Sequence, residues 1–386
     1  MRILFYLHRF PAIGGIENVT AFLANSFARE GHVVEIISHV GVKGQEDAQV
    51  LDSRIRFQSM PESSCTSRSN RKFLFNHILA KKPNVIVFQD SYAPIERNLF
   101  PVPDNVPVVV CEHNAPYQGY IEPISWGTTL RSVARKALNP LRSRLRASNM
   151  VRRHRKLYEA CWRYALLSDR YFGEFKAILQ LKDARKLVAI SNAVGSGPGK
   201  VRKKKNDVLF VGALNYRKGL DMLISSWGCI ASRFPDWRLV IVGDGPMRGY
   251  LEKSVIESEL HNVTITGSTI DPSEYFADAK IFAFPSRREG WPLVVQEAQA
   301  YGCVPVLFDS FSAAHDIVQD GDNGLLVPAF DTDAFARRLA SLMNADSEIE
   351  RMSLNAAAVI CRYSPENIMQ KWAALFAELP GNCGKE

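Results

Sequence analysis

The chain has 386 residues, of which 46% are hydrophobic and 23% are charged, a balance typical of a globular enzyme with two domains. No apolar run approaches the roughly 18 to 20 residues of a membrane span, and the apolar start is too short for a signal peptide. The seven cysteines are scattered and contain no Cys-x-x-Cys pair, which argues against a disulfide framework or a zinc site. These features predict a cytoplasmic protein.

Apolar strands alternate with amphipathic helices along the whole chain, which predicts α/β domains with parallel sheets. In the N-terminal half, strands are predicted at 3–7, 33–38, 84–88 and 106–111. In the C-terminal half, strands are predicted at 208–211, 238–242, 263–266, 280–284, 304–308 and 325–327. Glycine and proline between 191 and 205 predict a linker, so the halves are two doubly wound domains.

Two glutamates, Glu289 and Glu297, stand eight positions apart where the strand at 280–284 gives way to a helix. Ligands of open α/β sheets bind beyond the carboxyl ends of the strands, so both carboxylates can border one cavity. A solvated helix face is the ordinary explanation of such a pair when it occurs elsewhere.

The residues between the two glutamates favour an anion site. Gly290 allows close approach of the backbone, and Pro292 suits a first helical turn. The amides after Trp291, those of Leu293, Val294 and Val295, are expected to be free to bind phosphate.

Further candidates follow other predicted strands. Lys218, after strand 208–211, can reach a diphosphate, and Arg217 can add a second positive charge. Glycines in a loop after a strand let the backbone approach a ligand closely. His113, which follows the strand at 106–111, is a further candidate. The glycines are Gly14 and Gly15 in the N-terminal half and Gly243 and Gly245 in the C-terminal half. A flexible loop, a satisfied loop histidine and a tight turn are the alternative explanations of the N-terminal glycines, of His113 and of the C-terminal glycines.

The segment from Glu289 to Glu297 resembles the Glu-x7-Glu hallmark of retaining glycosyltransferase family 4. The resemblance implies the GT-B fold, in which two Rossmann-like domains face each other across a cleft. The implied domains are an acceptor-side domain at 1–190, a linker at 191–205, a nucleotide-sugar domain at 206–362 and a final segment at 363–386. A helix near 365–379 would return to the N-terminal domain.

The resemblance also implies roles for single residues. Glu297 would hold the donor ribose, Glu289 would contact the donor sugar, and Lys218 would bind the diphosphate. His113, Gly14 and Gly15 would face the donor or acceptor from the N-terminal domain, and Gly243 and Gly245 would border the nucleotide. The family usually has an arginine where this chain has Ala213, and Arg217 would then supply the second positive charge.

No metal or other cofactor is expected. Asp320-Gly321-Asp322 and Asp331-Thr332-Asp333 resemble Asp-x-Asp metal motifs. However, the first precedes the turn pair Asn323-Gly324 and the second opens a helix, where aspartate is a natural cap.

The positive charge of the chain is concentrated between residues 130 and 156, which hold ten Arg or Lys and no Asp or Glu. The chain's net charge is 48 − 40 = +8, and without these ten it is 38 − 40 = −2. Apolar and basic residues separate onto two helix faces, which favours docking on an anionic membrane. A solvated arm and a polyanionic acceptor site are the alternatives; nucleic acid is not expected.

Together these observations predict a metal-independent retaining glycosyltransferase. It would transfer a sugar from a nucleotide-diphosphate donor, with uridine the commonest base in the family. The acceptor would be a lipid-linked or growing saccharide in cell-surface polysaccharide assembly. A non-catalytic nucleotide-sugar-binding protein and a nucleotide-sugar epimerase are the alternatives.

Overall fold

The computed structural model describes residues 1–12, 14–41, 49–89, 94–116, 130–195, 197 and 203–380, with the backbone alone at 130–144. The chain divides into two compact units. The first comprises Met1–Gly119, Arg142–Asn192 and Ile368–Glu386, and the second comprises Tyr120–Leu141 and Ala193–Asn367.

The first unit is built on a parallel sheet with the strand order β3-β2-β1-β4-β5-β6-β7. Its strands are β1 (Arg2–Arg9), β2 (Val33–Val40), β3 (Arg56–Ser59), β4 (Val85–Phe88), β5 (Val108–Cys111), β6 (Arg163–Leu166) and β7 (Leu187–Ala189). The helices of this part are α1 (Gly15–Arg29), α2 (Arg68–Lys81), α3 (Glu96–Leu99), α4 (Leu130–Ala160) from residue 142 onwards, and α5 (Tyr171–Leu179). The central strands β4 and β5 are buried throughout, as expected for a sheet covered on both faces.

The second unit has a parallel sheet with the strand order β10-β9-β8-β11-β12-β13. Its strands are β8 (Lys205–Val211), β9 (Arg238–Val242), β10 (Val263–Gly267), β11 (Ala279–Phe284), β12 (Val304–Asp309) and β13 (Leu325–Pro328). Its helices are α6 (Leu220–Gly228), α7 (Arg248–Glu257), α8 (Ser273–Asp278), α9 (Leu293–Ala300), α10 (Ala314–Ile317), α11 (Thr332–Met343) and α12 (Asp346–Val359).

The last helix, α13 (Pro365–Ala377), packs its aromatic side chains within the first unit. The rings of Phe376 and Phe27 stack with their centroids 5.2 Å apart, and Trp372 meets Phe27 edge-on at 6.3 Å. Phe27 lies on the buried face of α1. The core of the first unit is therefore formed in part by contacts between α13 and α1.

The predicted parallel α/β class is confirmed, and each predicted strand overlaps an observed one. The prediction omitted three strands of the first unit, β3, β6 and β7, because they have only three or four residues with polar or charged neighbours. Among the described helices, none combines the length and apolar character needed to cross a membrane.

Candidate active site

The second unit's sheet reverses its strand order beside β8, which pairs with β9 on one side and β11 on the other. Lys218 follows β8 and Glu289 follows β11, so both lie at the carboxyl ends of neighbouring strands. Ligands of doubly wound sheets bind at such a reversal. The topology therefore brings together two residues that are 71 positions apart in the sequence.

Glu289 is buried, and three side chains bind its carboxylate. Lys218 Nζ donates to Oε1 at 2.8 Å, Ser286 Oγ donates to Oε1 at 2.6 Å, and Arg217 Nη1 donates to Oε2 at 2.8 Å. We call Lys218, Arg217, Ser286 and Glu289 the Glu289 cluster. Two cations share one carboxylate, so the cluster carries a net positive charge.

The charges of the cluster shift one another's ionisation. Burial by itself raises the pKa of Glu289, but Lys218, Arg217 and the hydrogen bond from Ser286 together hold it below its ordinary value. Burial lowers the pKa of the Lys218 amine, while the Glu289 carboxylate opposes this change. The carboxylate is therefore ionised at neutral pH.

Local structure fixes the two cations. Asn215 caps the single turn of 3-10 helix at Tyr216–Lys218 by accepting from the Lys218 amide. The backbone N–H of Arg287 donates to the Arg217 carbonyl at 2.7 Å, which joins this turn to the loop that carries Glu289. The Lys218 ammonium also lies 4.7 Å from the centre of the Phe284 ring, a cation–π contact.

Glu297 is the fifth residue of α9, slightly more than one turn into the helix. Burial raises the pKa of its carboxyl group. In the described part of the chain, this carboxylate accepts no hydrogen bond and forms no ion pair. It is an acceptor that a hydroxyl-bearing ligand could use.

The start of α9 offers two free amides rather than the three expected. The Val295 N–H donates to the Pro292 carbonyl at 3.0 Å, because Pro292 occupies the N-cap position and not the first helical turn. The amides of Leu293 and Val294 have no hydrogen-bond acceptor among the described residues.

Trp291 is buried, and its indole Nε1 donates to Gln296 Oε1 at 2.7 Å. The ring also packs edge-on against Tyr363 at 5.2 Å between centroids. Trp291 therefore anchors the loop before α9 by its side chain. Gly290 precedes it and is also buried.

Gly243 and Gly245 let two loops pass in close contact. Both have positive φ, and a Cβ atom on Gly243 would collide with the Gly212 carbonyl. A Cβ on Gly245 would lie 2.6 Å from the Leu214 carbonyl oxygen. These glycines are thus needed for the packing of the loops after β8 and β9, the tight-turn alternative that the sequence analysis left open.

In the first unit, the predicted residues lie after β1 and β5. Gly14 precedes α1 and Gly15 begins it. His113 follows β5, and its Nε2 lies 2.6 Å from Oε1 of Gln89, a buried residue directly after β4. The β1–β4 pairing is the point where this sheet reverses its strand order.

Sequence reasoning missed Ser286, Gln296 and Gln89. Ser286 lies in the loop that carries Glu289, and Gln296 lies in the helix α9 that follows this loop. The sequence does not show that both side chains are buried. A serine three residues before Glu289, directly after an apolar strand, was the available signal. Nothing in the sequence connects Gln89 with His113.

Asp331 caps α11, as predicted, by accepting from the Ala334 amide at 2.8 Å. Asp320 pairs with Arg338 at 2.7 Å. Within the ranges that the structure describes, no three His, Cys, Asp or Glu side chains gather as ligands for a metal ion.

The Glu289 cluster lies in a part of the chain that matches a known family. Residues 197–359 match the family described as glycosyl transferases group 1. This part of the chain is similar to group 1 glycosyl transferases. The matched segment contains the whole Glu289 cluster as well as Glu297.

Two curated relatives match nearly the whole chain. One, named an uncharacterized glycosyltransferase of Haemophilus influenzae, is 24% identical over 97% of this chain and 99% of its own length. The other is a Campylobacter jejuni enzyme, also 24% identical, over 95% of this chain and 96% of its own. Its name is GalNAc-α-(1→4)-GalNAc-α-(1→3)-diNAcBac-PP-undecaprenol α-1,4-N-acetyl-D-galactosaminyltransferase.

Solved structures share the fold at low identity. HepE of Anabaena, in complex with UDP, superimposes with a TM-score of 0.77 at 16% identity, over 98% of this chain and all of that chain. Sucrose-phosphate synthase of Thermosynechococcus elongatus gives a TM-score of 0.76 at 16% identity, over 98% of each chain. The chain has the two Rossmann-like domains of the GT-B fold.

Proposed function

We propose that the protein is a retaining glycosyltransferase that moves a sugar from a nucleotide-diphosphate donor to an acceptor hydroxyl. The Glu289 cluster carries this proposal. Its two cations share one carboxylate, and the remaining positive charge suits a diphosphate at the carboxyl ends of β8 and β11. Its place within the segment similar to group 1 glycosyl transferases supports the same reaction.

Each residue of the site has a proposed role. Lys218, Arg217 and the free amides of Leu293 and Val294 stabilise the negative charge on the departing diphosphate. Glu289 contacts the donor sugar and stabilises positive charge near its anomeric carbon. Arg217 supplies the charge that an arginine at position 213 would give.

The remaining roles concern orientation. Glu297 accepts hydrogen bonds from the ribose hydroxyls, since its carboxylate has no protein partner in the described structure. His113, positioned by Gln89, hydrogen-bonds a hydroxyl of the donor sugar. Gly14 and Gly15 place backbone amides near the acceptor.

Uridine is the proposed base, because HepE was solved with UDP. The proposed acceptor is a lipid-linked or growing saccharide of a cell-surface polysaccharide. The Campylobacter relative is named for a saccharide on PP-undecaprenol, and partial relatives are named for amylovoran and capsular polysaccharide biosynthesis.

The reaction is tested by incubating the protein with a panel of UDP-sugars and measuring UDP release with and without saccharide acceptors. A transferase releases UDP and forms a glycoside with the donor's anomeric configuration, which NMR coupling constants report. Binding of a UDP-sugar without turnover would favour the binding-protein alternative, and conversion of the sugar without an acceptor would favour an epimerase.

We further propose that catalysis needs no metal and that α4 attaches the protein to anionic membranes. Activity should survive excess chelator; a loss of activity that manganese restores would contradict metal independence.

Membrane attachment is tested with lipid vesicles. Changing Arg131, Arg135 and Arg142 to Glu should abolish sedimentation with phosphatidylglycerol vesicles and leave UDP binding intact. Sedimentation with neutral vesicles to the same extent would contradict attachment by charge.

A further inference from the structure

The first unit contains a cavity of about 780 Å³, and none of the residues assigned to donor binding lines it. It lies between the short helix α3 and the C-terminal half of α4. We call it the basic pocket. Its charged lining residues are Glu96, Arg97, Arg146, Arg152, Arg153 and Lys156.

The spacing of residues along α4 explains why charge and apolar surface meet here. Arg146, Met150, Arg153 and Leu157 follow one another at intervals of four, three and four, so they form one stripe along the helix. Met150 and Leu157, with Phe100 beyond α3, give the pocket an apolar wall. Its size lies within the range of small-molecule sites, roughly 300 to 1,000 Å³.

One carboxylate compensates only one of the five cations. Glu96 binds Arg153 at 2.9 Å, and the two side chains are 14% and 16% exposed. Arg97, Arg152 and Lys156 are exposed and form no ion pair in the described part of the chain, and the same holds for Arg146.

Exposed arginines elsewhere in this protein do form ion pairs with carboxylates. Arg54, Arg238 and Arg338 are also well exposed, yet each lies within 3 Å of a carboxylate oxygen. Several unpaired cations around one concavity repel one another, and an anion that enters would relieve that repulsion. Guanidinium groups match phosphate oxygens in pairs of hydrogen bonds.

We propose that the basic pocket binds a phosphate or diphosphate ester, with its phosphate oxygens on Arg97, Arg152 and Lys156 and its organic group against Phe100, Met150 and Leu157. This site is separate from the Glu289 cluster, so the inference holds whether or not the proposed transferase activity does. It also differs from attachment of α4 to a membrane surface, since it requires a ligand inside a formed pocket.

The test uses the full chain saturated with UDP and labelled with ¹³C at its eight methionine methyl groups. Met150 lines the pocket, and Met150→Leu identifies its signal. Titration with inorganic pyrophosphate should shift this signal saturably, and sodium chloride at equal ionic strength should not.

The variant Arg97→Gln/Lys156→Gln should weaken that pyrophosphate binding by about tenfold or more, because two charged hydrogen bonds are lost. The matched control is Arg71→Gln/Lys72→Gln, two exposed cations of α2 in the same unit and outside the pocket. This control should bind pyrophosphate as the natural sequence does.

Soluble dihexanoyl phosphatidylglycerol distinguishes the sources of the phosphate. A shift of the Met150 signal with this lipid at lower concentration than with pyrophosphate assigns the pocket to a lipid headgroup. A shift with pyrophosphate alone assigns it to a soluble phosphate ester. No shift of Met150 with either probe, or equal affinity in the pocket variant and the control, would overturn the proposal.

Discussion

In the second unit, Lys218 and Arg217 both bind one buried carboxylate, whereas around the basic pocket of the first unit four of five cations bind none in the described chain. Burial explains the pairing of Lys218. A buried ammonium such as that of Lys218 needs a partner because desolvation is costly, while an exposed arginine remains hydrated. Under the two proposals above, charge in the Glu289 cluster serves both stability and ligand binding, and charge at the basic pocket serves binding alone.

The largest expected effect comes from removing the shared carboxylate. Glu289→Gln should lower kcat for transfer by about 10²-fold or more, because a preorganised charge at the reacting sugar is lost. It should also lower the melting temperature, since two cations keep their positions without compensation. The matched change Glu350→Gln, on the exposed face of α12, should alter neither quantity. Wild-type turnover in Glu289→Gln would remove this residue from the mechanism.

Lys218→Ala should weaken UDP binding by about 1.5 to 3 kcal/mol, the range for a charged hydrogen bond, or roughly 10- to 150-fold. Isothermal titration calorimetry measures this change, and Lys253→Ala on α7 is an exposed control. Arg217→Ala should cost a similar amount if Arg217 does the work of an arginine at position 213. Unchanged UDP affinity in Lys218→Ala would place the diphosphate elsewhere.

Glu297→Gln should weaken UDP binding about tenfold, because the ribose would lose an ionised acceptor. It should also change how stability depends on pH. Burial raises the folded pKa of Glu297, so the ionised group increasingly disfavours the folded state as pH rises from the unfolded pKa through the folded one. Over this pH interval, the free energy of unfolding of Glu297→Gln should therefore increase relative to that of the natural sequence. Urea unfolding of the two ligand-free proteins measures this difference. A difference that does not vary with pH would contradict the burial of this carboxyl.

The smallest effect is expected at the basic pocket. Arg152→Gln should change the free energy of unfolding by no more than about 0.5 kcal/mol, as is usual for exposed positions without a partner. Urea unfolding gives the free energy of unfolding of Arg152→Gln and of Lys218→Ala, and so compares the basic pocket with the Glu289 cluster. If Arg152→Gln destabilises the protein as much as Lys218→Ala does, the contrast between them is wrong.

The sequence predicted some parts of the site better than others, for physical reasons. Lys218 and Glu289 could be named because each follows an apolar strand, and the carboxyl ends of parallel strands share an edge. Their direct contact could not be predicted, since it depends on β8 and β11 being neighbours. Trp291 lies within the predicted anion site, but the hydrogen bond from its indole N–H to Gln296 could not be predicted from the sequence.

By itself, the sequence determined the alternation of strands and helices, because burial on both faces of a parallel sheet requires continuous apolar runs that are visible in one dimension. It also determined where the chain concentrates positive charge. Only the tertiary structure decided which charges are paired. Among the described residues, Glu289 acquires two cations and Glu297 none, and Glu96 takes one of the five around the basic pocket. Pairing depends on strand order and helix packing rather than on distance along the chain.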